Sequence, residues 1–514
     1  MNIAAWLQTL GLGRNERQFR SNEIDWGVLP KLTLEDRNQP WLALFTVCSV
    51  ALGLRLFAIG RYGFDVEEIF SLRAASGTWH HLLLATINQK FHPPLFYTLL
   101  KLWLILIPAN ESSVRLLSVL LGTALVPVAF AICRKLRLAE TDILLVTLLV
   151  AVNGELIYYA QHARMFPLFQ LTSALSALAF VYFFAGRSCG RLIVLLCAAN
   201  LLMVYSHYWG WLAIAAQFVC LLISRRAKVG PFVWSSVVVA ILFAPWALSV
   251  TAAALDQGGP MRQIAWMGTD SAGSSDYAVL LGELNGEIDF KHATSVSIIL
   301  FLTPIVVLFL RQLRHDARTL FEVRGTGFWG LLVAVPLVLT SFASYLAQQS
   351  FWGTRHLSMV AIPYFVLVGL SMTEFSPSTA KTALRCMILG WAVTAGVFSL
   401  TETTKDTHWE EVSKGIVLND PVPVYVTEPF VKIPLEYYLE HSAVTAIAVN
   451  EQSDLGKIAD KRFWFVYRDI GWAGPPPEVQ FAAKGDHVER RFTVRSERRG
   501  RERQTITALL VRVD

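Results

Sequence analysis

The sequence has little charge, few cysteines and none of the common motifs of soluble enzymes. Charged residues make up 16% of its 514 residues, whereas 54% are hydrophobic. Soluble domains usually carry about a quarter charged residues, so the composition argues against a soluble multidomain protein. The six cysteines form no CxxC pair, which argues against a disulfide scaffold or a zinc–cysteine site. There is also no P-loop and no haem or flavin motif.

The positive charge is distributed as in a membrane protein. The formal net charge is only +6, and the lysines and arginines form short clusters between apolar runs. Such clusters are typical of residues that anchor membrane helices rather than of a nucleic-acid surface. We therefore expect lipid contact and no nucleic-acid partner. The first apolar run follows a polar segment, so it is expected to remain as an uncleaved anchor.

Apolar runs of membrane-spanning length recur along most of the chain. A run of roughly 17–25 residues can cross a bilayer, and about eleven are found. Residues 1–39 are predicted to be a cytoplasmic segment, and residues 40–401 the membrane domain. The candidate spans are Trp41–Gly60, Val114–Cys133, Ile143–Tyr159, Met165–Ala185, Leu192–Ser206, Tyr208–Ser224, Pro231–Leu255, Ala293–Leu310, Phe328–Ala347, Leu357–Met372 and Cys386–Thr401.

One further apolar stretch, Pro93–Pro108, is short and begins with two prolines. If it crossed the membrane, the basic clusters that follow would lie outside, against the positive-inside rule. We therefore interpret it as a juxtamembrane or re-entrant helix within an outer loop, residues 61–113. Residues 402–514 then follow the last span as a small periplasmic α/β domain, beginning with a strand–helix–strand unit over Pro421–Asn450. The predicted fold is thus an all-α polytopic membrane domain with a C-terminal soluble α/β domain.

Three carboxylates lie within four residues of each other in the predicted outer loop: Asp65, Glu67 and Glu68. Just outside a membrane helix, they can hold a divalent cation or provide a general base for an attacking hydroxyl. A solvated acidic helix start accounts for the same pattern, because acidic residues are common in first turns.

Other candidate site residues stand near the outer membrane surface. His92 precedes two prolines that fix its position, so it can bind a metal, a phosphate or a sugar. Arg164 lies in a turn between two spans, where a guanidinium suits a phosphate, although arginine also anchors such turns. Two pairs at the ends of other spans complete this set: His207 with Tyr208, and Arg355 with His356.

In their order along the chain, these strings resemble the GT-C class of integral membrane glycosyltransferases. The likeness is to the bacterial group related to protein O-mannosyltransferases and the lipid A aminoarabinose transferase. Two positions depart from the family pattern, because Glu67 replaces its usual aspartate and His162 its usual glutamate. The matching strings are Glu67-Glu68, His92-Pro-Pro-Leu-Phe-Tyr97, Arg115-Leu-Leu-Ser118, Gln161-His162-Ala-Arg164-Met-Phe166, Ser206-His207-Tyr208 and Arg355-His356-Leu357.

The resemblance implies transfer of a sugar, with inversion, from a polyprenyl-phosphate donor to a glycan, lipid or protein acceptor. The reaction would take place at the periplasmic face of a bacterial inner membrane. Asp65, Glu67 and Glu68 are the implied catalytic residues, and a divalent cation on Glu67, Glu68 and His92 is the expected cofactor. The implied substrate-binding residues are His92, Arg115, Gln161, His162, Arg164, His207, Tyr208, Arg355 and His356.

Two other classes of function agree with parts of the pattern. A transporter or flippase of lipid-linked sugars would also be polytopic, but transporters usually place ionisable residues near the bilayer midplane. Here the polar residues gather at one predicted face. A catalytically degenerate subunit of a polysaccharide assembly system is the other alternative, since Glu67 and His162 both depart from the family pattern.

Overall fold

The computed structural model describes residues 39–186, 189–256, 274–286, 288, 292–348, 350–375, 378–401, 408–449, 458, 460–468, 475–496 and 504–513. The predicted cytoplasmic segment before Gln39 lies outside these residues. The described chain is a series of apolar helices followed by a small mixed sheet near the C-terminus.

Each predicted span coincides with a helix or, in one case, with a bent pair of helices. The first ten helices are α1 (Gln39–Leu56), α2 (Val66–Ser76), α3 (Trp79–Gln89), α4 (Leu95–Leu106), α5 (Glu111–Lys135), α6 (Glu140–Val152), α7 (Gly154–Ala160), α8 (Phe166–Ala185), α9 (Gly190–Ser206) and α10 (Gly210–Ser224). The next seven are α11 (Val229–Asp256), α12 (Ser274–Asn285), α13 (Ala293–His315), α14 (Thr326–Ala347), α15 (Thr354–Leu357), α16 (Ala361–Ser371) and α17 (Ser378–Thr401).

Length and composition identify the described helices that can cross a membrane. Seven described helices are long and apolar enough to cross a membrane, or eight if the bent pair α6–α7 is one span. The chain is therefore a multi-pass membrane protein, while the number of spans near eleven stays a prediction. Helix α4 has 12 residues. At 1.5 Å per residue it extends about 18 Å, short of the roughly 30 Å hydrocarbon core, which favours the juxtamembrane interpretation.

Helices α6 and α7 meet at Asn153 with a bend of 49°. The side-chain oxygen of Asn153 accepts a hydrogen bond from the Leu156 N–H at 3.0 Å and so begins α7. Its side-chain nitrogen donates to the carbonyl of Leu284 at 2.9 Å, near the end of α12. A break among apolar helices is stable only if the released backbone groups find such partners.

Arg55, near the end of α1, satisfies the carbonyls released at the same break. Its guanidinium donates to the carbonyls of Ala151 at 2.9 Å and Val150 at 3.0 Å, in the last turn of α6. It also donates to Ala51 in its own helix at 3.1 Å. The side chain is fully buried. The negative ends of two helices therefore surround the positive charge, which is the favourable arrangement for a cation there.

A buried carboxylate ties the other end of α6 to α17. Asp142 is completely buried in the first turn of α6. Lys381 approaches it at 3.3 Å, and Arg385 donates to it from Nε at 2.9 Å and from Nη2. A buried carboxylate requires such partners, so these contacts fix the packing of the two helices.

The C-terminal region is a five-stranded mixed sheet with strand order β2-β1-β3-β5-β4. Strand β1 pairs in parallel with β2 and β3, and β5 pairs antiparallel with β3 and β4. The β1–α19–β2 unit occupies the segment where the sequence predicts strand, helix and strand. The elements are α18 (Trp409–Asn419), β1 (Val424–Val426), α19 (Pro429–Leu439), β2 (Ala446–Ala448), β3 (Arg462–Arg468), α20 (Pro477–Lys484), β4 (His487–Ser496) and β5 (Gln504–Arg512).

Replacing Arg55 with Met should destabilise the helix bundle. The change leaves the carbonyls of Val150 and Ala151 without their donor, and hydrogen bonds to charged groups contribute about 1.5–3 kcal/mol each. We expect a lower midpoint of thermal unfolding in detergent. The control is Arg191→Met, at an exposed position. Equal midpoints for the two variants would contradict the capping role.

Candidate active site

The loop that follows α1 leads into α2 through a capping box. Asp65 is the N-cap, and its Oδ1 accepts a hydrogen bond from the Glu68 N–H at 2.6 Å. The Glu68 carboxylate in turn accepts from the Asp65 N–H at 3.2 Å. The spacing Asp-x-x-Glu favours this reciprocal pair at a helix start. The capping box fixes the backbone at the start of α2 and therefore the directions of the three acidic side chains there.

Glu68 forms a buried ion pair with Arg115 of α5. Both side chains are fully buried, and Nε and Nη2 of Arg115 each donate to one carboxylate oxygen at 2.7 Å. The Ala163 N–H donates to the same carboxylate at 2.8 Å. The remaining donors of Arg115 reach the carbonyls of Ile59, Tyr62 and Gly63. These contacts join the loop to α5 and to the turn before α8, and they leave Glu68 with a structural role.

Glu67 lies one residue earlier but faces two other arginines. Its Oε2 is 3.2 Å from Nε of Arg164, and its Oε1 is 3.3 Å from Nη1 of Arg355. Its side chain is 42% exposed, whereas that of Arg164 is only 6% exposed. The Arg164 guanidinium holds the pKa of Glu67 below its ordinary value, with Arg355 acting in the same direction. Two positive groups thus converge at an accessible carboxylate.

Asp65 has a different environment from Glu67. Its Oδ2 is 3.9 Å from Nε2 of His162, whose Nδ1 lies 2.8 Å from the carbonyl of Tyr158. Since a carbonyl only accepts, Nδ1 of His162 carries the proton and donates it. Burial raises the pKa of the Asp65 carboxyl to about 7, and the charges of Glu68 and Glu67 act in the same direction. Asp65 is therefore the carboxylate whose pKa is suited to taking up a proton near neutral pH.

Three histidines from different parts of the chain form one cluster. The ring of His207 lies 5.3 Å from that of His92 and 5.0 Å from that of His356. Phe166 packs against all three at 6.0–6.4 Å. Burial, together with the Arg164 charge, lowers the pKa of His92 well below its ordinary value, so this imidazole is neutral. Its Nδ1 is buried and has no hydrogen-bond partner among the described residues.

Backbone contacts fix the protonation pattern of two of these histidines. The Trp209 N–H donates to Nδ1 of His207 at 3.1 Å, so this nitrogen carries no proton. In a neutral ring Nε2 then carries it and donates to Nδ1 of His356 at 3.0 Å. Because Nδ1 of His356 accepts this hydrogen bond, the neutral ring of His356 carries its proton on Nε2. The cluster therefore presents neutral imidazoles in a defined orientation.

The structure brings together most of the predicted site residues and separates a few. Glu67 contacts both Arg164 and Arg355, and Asp65 lies 3.9 Å from His162. His92, His207 and His356 form the adjoining cluster. In contrast, Gln161 donates to the carbonyl of Phe57 at 2.8 Å and so caps the end of α1. The hydroxyl of Tyr208 accepts from the indole of Trp246 at 3.1 Å, which orients it toward α11.

Sequence reasoning missed two residues that shape the site. Ser71 lies 3.4 Å from Nη1 of Arg164, one helical turn after Glu67. Its position four residues after Glu67 was the available signal, because residues at that spacing share a helix face. Trp209 stacks on His356 at 5.0 Å with an interplanar angle of 28°. No rule of sequence spacing links Trp209 to His356, so the sequence alone does not predict this contact.

The predicted metal ligands do not converge. Among the described residues, no three His, Cys, Asp or Glu side chains are placed to share a metal ion. Arg115 engages Glu68, two arginines face Glu67, and His92 packs against His207. The residues therefore do not fit the expected divalent cation, and the mechanism below uses none.

Comparison with solved structures identifies the fold. ArnT from Cupriavidus metallidurans bound to undecaprenyl phosphate aligns with a TM-score of 0.58 and 14% identity, over 91% of this chain and 98% of that chain. The same protein in the apo state aligns with a TM-score of 0.60 and 14% identity, over 91% of this chain and 97% of that chain. The chain has the GT-C fold. No protein-family model and no curated protein matches the sequence.

A second GT-C structure supports the same conclusion. The archaeal oligosaccharyltransferase AglB from Archaeoglobus fulgidus, in complex with an inhibitory peptide and a dolichol-phosphate, aligns with a TM-score of 0.52 and 11% identity. The alignment covers 84% of this chain and 70% of that chain. At such identities the likeness establishes the fold alone.

Adjacent glutamates in this GT-C site should respond differently to the same substitution. Glu68→Gln leaves Arg115 buried without its counter-charge and should cost about 3–5 kcal/mol of stability. Glu67→Gln removes a counter-charge of the buried Arg164, but the Glu67 side chain is 42% exposed, so its loss should cost less stability than that of Glu68. Thermal unfolding midpoints in detergent measure both effects. A Glu68→Gln variant as stable as Glu67→Gln would show that the buried pair does not hold the loop.

Proposed function

We propose that the protein is a glycosyltransferase that moves a sugar from a polyprenyl-phosphate donor to an acceptor on a glycan, lipid or protein. The transfer would take place at the periplasmic face of a bacterial inner membrane, with inversion at the sugar. The supporting observation is the arrangement of Asp65 beside Glu67, Arg164 and Arg355 in the outer loop and helix ends of a GT-C fold. A proton acceptor thus stands next to a site for a phosphate.

The neighbouring structures support a lipid-phosphate donor. ArnT is bound to undecaprenyl phosphate, and AglB is in complex with a dolichol-phosphate. Both ligands join a long apolar chain to a phosphate. A helix bundle with arginines at one face suits that chemistry, because the lipid chain can lie along apolar helices while the phosphate meets the guanidinium groups.

Arg164 and Arg355 are assigned to the donor phosphate. Glu67 holds the two guanidinium groups at one place, and its own charge is already balanced by them. When the bond between the sugar carbon and the phosphate oxygen breaks, the phosphate gains a second negative charge. Hydrogen-bond donors that are already in position before the reaction stabilise such developing charge more effectively than water does. Glu67 acts here as a positioning residue for the arginines.

Asp65 is assigned as the general base. It would take the proton of the acceptor hydroxyl while the hydroxyl oxygen bonds to the sugar carbon. The electrons of the broken bond leave with the polyprenyl phosphate, so atoms and charges balance. Attack from the face opposite to the phosphate gives inversion. The neutral histidine cluster is assigned to the sugar or phosphate, with Nδ1 of His92 as a hydrogen-bonding atom.

The turnover rate should depend on the protonation of Asp65. Since the folded-state pKa is raised to about 7, the carboxyl is protonated below that pH and cannot act as a base. We expect transfer to fall as the pH drops below about 7. Asp65→Asn keeps an efficient N-cap but should lose about 10²–10⁴-fold in rate and lose this pH dependence. Initial rates across pH test both effects, and an unchanged rate would remove Asp65 from the mechanism.

Binding of the donor phosphate should depend on Arg164. Replacing it with Ala removes charge-assisted hydrogen bonds, so the Kd for undecaprenyl phosphate should rise about 10–100-fold. Tryptophan fluorescence in detergent measures the Kd. Arg318→Ala, an exposed arginine in a loop on the predicted cytoplasmic side, is the matched control and should bind normally. Equal Kd values for the two variants would contradict the assignment.

The proposal as a whole is tested by donor consumption. Purified protein would receive polyprenyl-phosphate sugars prepared from several labelled nucleotide-sugars, with host membranes as the acceptor. Consumption of one donor, lost in Asp65→Asn and Arg164→Ala, would establish the transferase and name its sugar. A folded protein that binds undecaprenyl phosphate but consumes no donor would contradict the enzymatic function in favour of a degenerate subunit or a transporter.

A further inference from the structure

Helix α19 of the C-terminal region packs directly on the loop that carries the acidic residues. Tyr437 and Tyr438 lie in the last turns of α19. The ring of Tyr437 meets that of Phe64 edge-on, with centroids 5.8 Å apart and an interplanar angle of 80°. Glu436 adds an ion pair to Arg73 of α2 at 3.6 Å. The C-terminal region therefore touches the residue immediately before Asp65.

The contact includes the backbone at the start of the capping box. The Phe64 N–H donates a hydrogen bond to the hydroxyl oxygen of Tyr438 at 2.5 Å. The Tyr438 hydroxyl can donate its own proton to Glu111, in the first turn of α5, at 3.4 Å. One hydroxyl group thus joins the entry to α2 with the entry to α5. These two helices carry Glu68 and Arg115.

Phe64 completes the connection between α19 and the buried ion pair. Its side chain is fully buried. The guanidinium of Arg115 lies 5.3 Å from the centre of its ring, within the range of a cation–π contact. Phe64 is therefore held by Arg115, by Tyr437 and, through its N–H, by Tyr438. A change at Tyr438 acts on the backbone one residue from Asp65.

We propose that Tyr438 is a positioning residue for Asp65, so that the C-terminal region is a functional part of the active site. This inference rests on the proposed function, in which Asp65 is the general base. The donor phosphate is assigned to Arg164 and Arg355, whose ion pairs in the described structure are with Glu67 rather than with α19. Loss of the Tyr438 hydroxyl therefore lowers the rate of transfer and leaves the affinity for the lipid phosphate unchanged.

The test compares two Tyr→Phe variants in the full-length protein. Tyr438→Phe removes the acceptor of the Phe64 N–H and keeps the ring. Tyr425→Phe is the matched control, because its hydroxyl donates to Asp460 at 2.7 Å in the same region without contacting the loop. We expect Tyr438→Phe to lower kcat about five- to tenfold, as the loss of one hydrogen bond suggests, with an unchanged Kd for undecaprenyl phosphate. Tyr425→Phe should retain the wild-type kcat.

A double-variant comparison separates positioning from general structural damage. If Tyr438 acts through Asp65, adding Tyr438→Phe to Asp65→Asn should cause no further loss of the residual rate. A further loss equal to that in the wild-type background would overturn the proposal. If Tyr438→Phe does not fold, Tyr437→Leu removes the ring contact to Phe64 and is tested in the same way.

Hydrogen exchange tests the contact without any transfer assay. Amide exchange in a peptide covering residues 62–69 should be faster in Tyr438→Phe than in the wild-type protein and unchanged in Tyr425→Phe. Equal exchange in all three proteins would overturn the positioning role. A wild-type protein that transfers no sugar would instead contradict the proposed function, while the exchange result still decides whether Tyr438 holds the loop.

Discussion

The buried ion pair between Glu68 and Arg115 is the interaction on which the site depends. Its partners come from α2, from α5 and, through the Ala163 N–H, from the turn before α8. Two buried charges are stable only when nearly all of their hydrogen-bonding capacity is used, and here five donors of Arg115 and both oxygens of Glu68 are engaged. The pair therefore specifies one geometry for three separate segments. The positions of Asp65 and Glu67, which share the helix start with Glu68, follow from it.

Environment, rather than residue type, gives the three neighbouring carboxylates different properties. Glu68 is buried against one arginine and is fixed. Glu67 is partly exposed and faces two arginines, so it stays ionised and orders them. Asp65 caps the helix, is partly buried and lies beside two negative charges, which together raise its pKa. When carboxyl groups of one site have different environments, their pKa values differ. One group can then act as a base while another stays charged.

Much of this organisation could be predicted from the sequence because it is local. Hydropathy predicts the apolar helices, and the apolar runs over Pro421–Asn450 predict the strand–helix–strand unit at the start of the C-terminal region. The Asp65-x-x-Glu68 spacing also contained the capping box, although it was interpreted as a cluster of catalytic carboxylates and metal ligands. What could not be predicted were long-range pairings. The choice of Arg115 as the partner of Glu68, 47 residues away, and of Tyr438 as the partner of Phe64, 374 residues away, depends on how the helices pack.

The distribution of buried charge favours surface chemistry over transport. A transporter usually places ionisable groups near the middle of the membrane. Arg55 and Asp142 are buried ionisable residues within the described apolar helices, and each lies at a helix end. Arg55 is bound to carbonyls of α6, and Asp142 to two cations of α17. These contacts hold both groups at fixed positions and so stabilise one arrangement of helices. The partly exposed charges, Glu67 and Arg355, instead lie together beside Asp65, where a proton and a phosphate can be exchanged with a substrate.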